Sequence, residues 1–365
     1  MLTPSYLEDI PKTLVQIYSN VEIDIISQMA KRMSNMDFIS AAQFQYQRLI
    51  ELGYIEQEIT KLLAKALNIS KLELLKIMNA AGIKSYKADL TKLGLPMPKR
   101  ASNAMQQVIE SGYQNTTGLF ENITRTTVES SKNQFVSALD DAWFKVSTGL
   151  QDTETAVTHA IKDLSEKGIK TASYASGHSD SIDVAVRRAT VTGVNQSAIK
   201  MTLALAQELN HDLVETTAHG GARTGNGVAN HAEWQGKIFS LSGSDKYSSF
   251  YASTGYGTGA GLGGWNCRHS INLTSVESSY TKEELKDLNA PKYPYNDEML
   301  TESEAIDIQR YNERQIRKWR RQSEVLKVAG IDNSREAAKV KYWQLRQADF
   351  INQTGLTRQY QRERV

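Results

Sequence analysis

Four histidines and the chain's single cysteine fall in or beside one stretch, and they are the first candidates for chemistry. His219, His231 and His269 lie between Glu215 and Ile271, with His211 just upstream and Cys267 one residue removed from His269. Imidazole nitrogens and a thiolate form the donor set of a tetrahedral zinc site. The spacing speaks against one, because Cys-x-His is not a usual ligand pair and no Cys-x-x-Cys occurs. No bound metal is expected. These side chains should instead satisfy the amides and carbonyls of a tightly turned loop. Cys267 beside a histidine could also form a nucleophilic thiolate pair oriented by Glu233. A lone cysteine is more often a small buried residue, so no catalytic residue is expected. The run from Gly255 through Gly257 and Gly259 to Gly261 has the composition of a phosphate-cradling loop. Such a loop joins a strand to a helix or ends in Gly-Lys-Ser/Thr. Here Trp265 and Cys267 follow, so a glycine-rich turn packed against Trp265 is expected, with no cofactor and no small-molecule substrate.

The stretch that must position these residues holds 12 of the chain's 23 glycines. Glycine admits backbone angles and close approaches closed to other residues, so the middle of the chain reads as an irregular, tightly turned unit. A loop so rich in glycine needs large side chains to fix it. Trp234, Ile238, Phe239, Trp265 and Cys267 are therefore expected to pack together beneath it. Around this stretch Leu213 to Thr217, Lys237 to Leu241, Tyr247 to Ala252 and Ser270 to Leu273 read as short strands.

The flanking sequence is helical in pattern. Tyr18, Val21, Ile25, Met29 and Met33 recur at helical spacing. Further patterns cover Phe38 to Leu52, stopped by Gly53, and Ile55 to Leu67. Ser70 with Glu73 forms a capping box ahead of another helix that Gly82 ends. The turn at Asn68 to Ser70 resembles a helix-turn-helix, but its second helix offers packing surface rather than base-reading residues, and a plain helical hairpin is expected. Leu95-Pro96-Met97-Pro98 is a linker candidate. Polar helices cover 102–148 and 152–165, the latter capped by Asp152. Gly177-His178-Ser179-Asp180 precedes a helix from Ser181 to about Asn210. Ala290 to Tyr295 reads as a second linker, and Thr301 with Glu304 caps a helix running to Val328. A last helix, capped by Asn333 or Ser334, passes through Trp343 and Phe350.

These elements imply an α+β, predominantly helical fold: long N- and C-terminal helical segments flank a small α+β core with short antiparallel strands and a Gly-rich loop. Three regions are expected: an N-terminal helical domain (1–95), a central α+β domain (96–290) carrying the signature loop 215–271, and a C-terminal helical arm (291–365). A chain of 365 residues fits two or three units. Its net charge of +2 gives no strong electrostatic direction overall. From Thr301 onward, however, 14 Lys and Arg face 9 Asp and Glu, leaving the rest of the chain at −3. One cysteine excludes an internal disulfide framework and fits folding in a reducing cytosol. The opening MLTPSYLEDIPK lacks the regions of a signal peptide, and no apolar run is long enough to span a membrane.

Arg310, Arg314, Arg317 and Arg321 share one helical face. That stripe reads either as a solvated ion-pair face or as sequence-independent contact with DNA phosphates. Trp319 and Trp343 lie on the same segments, where an arm would expose aromatic anchors for a protein partner.

The string from Tyr256 to Ser270, closing on Trp265-Asn266-Cys267-Arg268-His269, resembles the closing signature of the phage minor capsid protein 2 family. His219-Gly220-Gly221-Ala222-Arg223 and His231-Ala232-Glu233-Trp234-Gln235-Gly236-Lys237 match the same family in order and spacing. The family is similar to the Mu F-type minor head proteins of tailed bacteriophages, and the resemblance is most specific over roughly 165–275. Relatives often carry a Cys pair where this chain has Asn230 and His231, so no metal or disulfide is carried over. The resemblance implies a low-copy, non-enzymatic head protein made in the bacterial host cytoplasm. It would lie in the virion, inside the capsid or at the portal vertex, and be ejected with the genome. Its implied partners are the portal protein, other capsid or scaffold proteins, packaged double-stranded DNA and further copies of itself, with no membrane. Two alternatives come from other classes: an ADP-ribosyltransferase-type toxin enzyme, as some related head proteins carry, and a sequence-independent DNA binder within the head.

Overall fold

The structure is a computed structural model describing residues 2–36, 40–98, 102–173, 179–244 and 246–364. Phe38, Gly177 and His178 of the expected patterns lie outside the described residues. The chain opens with α1 (Pro4–Asp9), α2 (Lys12–Ser34) and α3 (Ala41–Lys92), followed by α4 (Asn103–Ser147) and α5 (Thr153–Lys167). Strands β1 (Lys170–Ser173) and β2 (Ser179–Ser181) precede α6 (Ile182–Glu208). The glycine-rich region holds β3 (Leu213–Thr216), α7 (His231–Trp234), β4 (Ile238–Ser240), α8 (Phe250–Thr254) and β5 (Ile271–Leu273). After it come α9 (Lys282–Asp287), β6 (Tyr293–Tyr295), β7 (Glu298–Leu300), α10 (Glu302–Val328) and α11 (Ser334–Thr354). The fold is α+β and predominantly helical, and the named strands pair antiparallel. No helix among the described residues is long and apolar enough to cross a membrane.

The chain forms two compact units. The first comprises Met1–Pro11, Lys71–Leu119 and Arg187–Asp307. Its centre is the sheet β4-β3-β5, in which Val214 pairs with Phe239 on one side and Leu273 on the other. Tyr86 and Leu90 of α3, Met105 of α4, and Ile199, Met201 and Leu205 of α6 close over that sheet. Two glycines let α4 and α6 approach closely: a Cβ on Gly112 would overlap the Ser197 hydroxyl, and one on Gly193 would overlap Thr116. Asp89 ties three elements together. It accepts from the Leu273 amide on β5 (2.9 Å) and from the Thr202 hydroxyl on α6 (2.7 Å). Burial raises its carboxyl to about 6.

The second unit comprises Lys12–Ser70, Phe120–Val186 and Ile308–Val365. Its core takes Tyr18, Ile25 and Met29 from α2, Ile55, Ile59 and Leu63 from α3, and Phe120, Phe135 and Leu139 from α4. Ile316, Val325 and Leu326 of α10 and Phe350 of α11 are also fully buried. Tyr18 packs on Phe120 with ring centroids 5.8 Å apart, and Phe44 stacks on Trp143 at 4.6 Å. The Thr301–Glu304 capping box forms as the spacing predicts, with the Glu304 carboxylate accepting from the Thr301 amide at 2.9 Å. Asp152 likewise caps α5 through the Thr155 amide.

Several local expectations are corrected. Gly53 and Gly82 do not end helices, and Ser70 with Glu73 does not start one, because α3 runs unbroken from Ala41 to Lys92. A helical glycine costs about 1 kcal/mol, and that loss is spread over a helix whose apolar face is buried in both units. At Gly82 the missing side chain leaves room for Met201. The expected hairpin at Asn68 to Ser70 is therefore absent. Tyr247 to Ala252 is not a strand: Ser249 caps α8, and Thr254 donates back to the Phe250 carbonyl at 2.7 Å. The expected linker around Pro291 to Tyr295 contains the first strand of a hairpin. Its turn is Asn296-Asp297, both at positive φ as a tight two-residue hairpin turn requires. The C-terminal helices are integral to the second unit rather than a projecting arm, since Ile316, Val325, Leu326 and Phe350 complete its core.

Candidate functional site

The signature residues fold as a backbone-bonded scaffold around a buried histidine cluster. After β3 the chain turns through His219 and Arg223 into α7, passes Gly236 into β4, and returns through α8 into the glycine run. That run crosses itself. The Leu262 amide donates to Thr254 O (2.9 Å), and the Trp265 amide donates to Gly259 O (2.8 Å). A Cβ on Gly261 would overlap the Thr254 and Gly255 carbonyls, and one on Gly264 would overlap that of Gly259, so the crossing requires glycine at both positions. Gly257, by contrast, is exposed.

Trp234, Phe239 and Cys267 pack together as expected, each at most 3% exposed, while Ile238 is half-buried. Trp265 is not part of that core: its side chain is 65% exposed. Leu262 and Phe250 fill the space beneath the loop. The indole lies on Gly259, where a Cβ would overlap the ring, and Arg223 donates to the Trp265 carbonyl at 2.8 Å. Arg268 pairs with Glu8 at 3.3 Å. Lys237 is exposed, but its backbone continues the sheet, with its carbonyl accepting from the Thr216 amide at 3.1 Å.

His269 is at the centre. The His219 ring stacks on it at 4.3 Å, Trp234 meets it edge-on at 4.9 Å, and His231 lies 5.4 Å away, ring centre to ring centre. His269 Nε2 donates to Gln235 Oε1 at 3.1 Å, and the same oxygen accepts from the His219 amide, which fixes the orientation of the Gln235 amide. His231 Nε2 donates to the Ala260 carbonyl at 2.8 Å, and His219 Nδ1 donates to the Gly220 carbonyl. Burial is the main cause that lowers the proton affinity of all three rings: His219 falls to about 4, His231 falls, and His269 falls well below its ordinary value. All three are therefore neutral at pH 7.

Cys267 Sγ lies 3.7 Å from His269 Nδ1. Burial pushes the thiol up, so no thiolate is held ready for nucleophilic attack. Glu233 points to solvent and accepts from Asn230; Gln235, not Glu233, orients the histidine. Despite the unpromising spacing, one donor atom each from His231, Cys267 and His269 lie within 4.8 Å of one another. His219 is outside that set.

Three contributors escaped sequence reasoning. Asn195 on α6 donates to the His269 carbonyl at 2.8 Å, and Gln196 donates to that of Gly263 at 3.0 Å. The only signal was a pair of adjacent amides midway along a long helix. Glu215 is another. Burial acts to raise its carboxyl, but Lys92, Ser279 and Ser278 outweigh that and hold it low.

The basic stripe on α10 is divided in its roles. Arg321 donates to Glu22 (3.0 Å) and to the carbonyls of Ser165 and Glu166. Arg317 reaches Asp183 at 3.4 Å and donates to the Arg362 carbonyl. Arg310 is half-buried, and Arg314 is exposed with its guanidinium 6.0 Å from the Tyr311 ring centre. Trp343 packs edge-on against Tyr311 at 5.6 Å, joining α11 to α10, and Trp319 is half-buried beside Lys318 and Lys339.

A family described as phage minor capsid protein 2 matches residues 2–352. A structural protein of Lactococcus phage LL-H is 25% identical over 362 residues, covering 93% of this chain and 94% of the relative. A structural protein of Lactococcus phage mv4 is 33% identical over 125 residues, covering 33% of this chain and 93% of that relative. No solved structure matches the chain.

Proposed function

Because this chain belongs to the phage minor capsid protein 2 family, we propose that it is a low-copy, non-enzymatic head component of a tailed phage, seated inside the capsid at the portal vertex and leaving with the genome. The observation that carries this reading is the extent of the family match, which runs through both compact units. The signature supports it, since its polar groups serve the scaffold and its one thiol is buried and protonated. Residues after the signature form helices and one hairpin, which disfavours the ADP-ribosyltransferase alternative.

A protein partner is favoured over DNA. Arg317 and Arg321 are engaged within their own unit. Meanwhile Tyr46, Leu49 and Tyr54 of α3 are each more than half exposed in the second unit, as are Leu72 and Ile83 in the first. Exposed apolar rows of this kind mark interaction surfaces. The portal protein, other head proteins and further copies of the chain are the proposed occupants, with packaged DNA as a secondary contact through Arg314.

Purified particles provide the test. Quantitative mass spectrometry should find a few copies per head, and asymmetric reconstruction should place them at one vertex. Portal protein should be captured by the wild-type chain and lost when Tyr46, Leu49 and Tyr54 are changed to Ser. Uniform distribution over the shell, or mature particles of normal infectivity without the protein, would overturn the proposal.

A further inference from the structure

We propose that His231, Cys267 and His269 form a zinc site, with the cysteine bound as thiolate and water completing a tetrahedron. Three observations carry it. The donors come from two separate segments, His231 from α7 and Cys267 and His269 from the chain just before β5, yet they converge within 4.8 Å and all are buried. Zinc at about 2.0–2.1 Å from nitrogen and about 2.3 Å from sulfur sets its ligands roughly 3.3–3.6 Å apart. The Cys267 Sγ to His269 Nδ1 separation of 3.7 Å is already close to that, and the remaining donors need only draw inward.

The second observation is tautomeric. A carbonyl oxygen can only accept, so His231 Nε2 must carry its proton towards Ala260 O. Gln235 Oε1 is fixed as the oxygen by the His219 amide, so His269 Nε2 must carry its proton as well. Each ring is thus held with Nδ1 as its lone-pair nitrogen, and on His269 that nitrogen faces the sulfur. Second-sphere acceptors that fix the tautomer in this way are the usual support of ligating histidines.

The third is the surrounding scaffold. Asn195 clamps the carbonyls of Cys267 and His269 from α6, and the Ala260 carbonyl lies between those of Gly259 and Gly261, which accept from the Trp265 and Gly264 amides. The backbone that carries the ligands is thus bonded on both sides of the cluster. The opposing influence is positive charge from Arg223 and Arg268. Arg268 is paired with Glu8, and loss of the Cys267 proton on binding supplies a negative ligand at the ion. His219 stacks on His269 but binds Gly220 O and acts as packing, not as a ligand.

The full chain, purified without chelator and then dialysed, is assayed for zinc by elemental analysis. One zinc per chain is expected, together with a rise in melting temperature on zinc addition. Replacement by cobalt should give a thiolate-to-cobalt charge-transfer band. Cys267→Ser should abolish that band, His231→Gln should lower zinc retention at least tenfold, and Gln235→Ala should weaken affinity about 10–100-fold. His219→Gln should retain the metal. Zinc well below one equivalent in folded wild-type chain, with no charge-transfer band and no thermal shift, would overturn the site. Full zinc retention in folded Cys267→Ser would do so as well.

Discussion

Trp234 and Trp265 belong to one signature but do different physical work. Trp234 is buried against His231 and His269, and its indole donates to the Val228 carbonyl at 3.1 Å. Trp234→Ala should destabilise by about 3–5 kcal/mol in urea unfolding, as large core truncations do. Trp265→Ala should cost under about 1 kcal/mol, as exposed changes do, yet reduce particle incorporation if the indole is a contact. Equal losses for the two would refute this division of roles. Asp89 gives a pH signature. Folded, its carboxyl holds a proton up to about pH 6; unfolded, it loses that proton near 3.8. It therefore stabilises below 3.8, and that contribution fades as pH rises through 6. Relative to wild type, Asp89→Asn should gain stability progressively from pH 4 to 6, by on the order of 3 kcal/mol at most. Parallel pH curves for the two proteins would sink this.

Helix-scale features separate what was legible in the chain from what was not. The Asp152 cap, the Thr301–Glu304 box, the strands at β3, β4 and β5 and the helical class were readable because each rests on a local pattern. Unbroken α3 was not, since Gly53 and Gly82 carry the local signature of stops and only burial along 52 residues overrides it. The hairpin β6–β7 had a readable turn in Asn296-Asp297, masked by the prolines beside it. In the candidate site, the histidines and Cys267 stood out as rare residue types, whereas the support from Asn195 and Gln196 and the convergence of His231 on Cys267 did not, because they depend on packing between segments far apart in the chain. The same logic predicts opposite outcomes for two helical glycines. A Cβ at Gly53 meets nothing within 4 Å, so Gly53→Ala should stabilise by about 0.5–1 kcal/mol. Gly193→Ala meets Thr116 side-chain atoms and should lower the melting temperature. Matching shifts from the two variants would refute the distinction.

At the scale of the whole molecule, α10 is a structural member of the second unit before it is anything else. Glu22 is buried and its carboxyl is raised by that burial, against which Arg321 is the nearest compensating charge. Arg321→Gln should strand that carboxylate and destabilise the unit by about 3–5 kcal/mol, detectable as a lowered denaturant midpoint. Arg314→Gln should leave the midpoint unchanged, so it alone reports on phosphate contact, through a flatter salt dependence of DNA retention. An unchanged midpoint for Arg321→Gln would remove the structural role. Both units are assembled from three separated chain segments. Closure of the second one waits for residues beyond Ile308, so a ribosome that has made α2 and α5 still presents their apolar faces unclosed. Non-local closure of this kind is slow and leaves the partial chain prone to association. A protein cut at Asn289 would thus resemble a stalled nascent chain, and host chaperones or proteases would decide its fate before any capsid could select it.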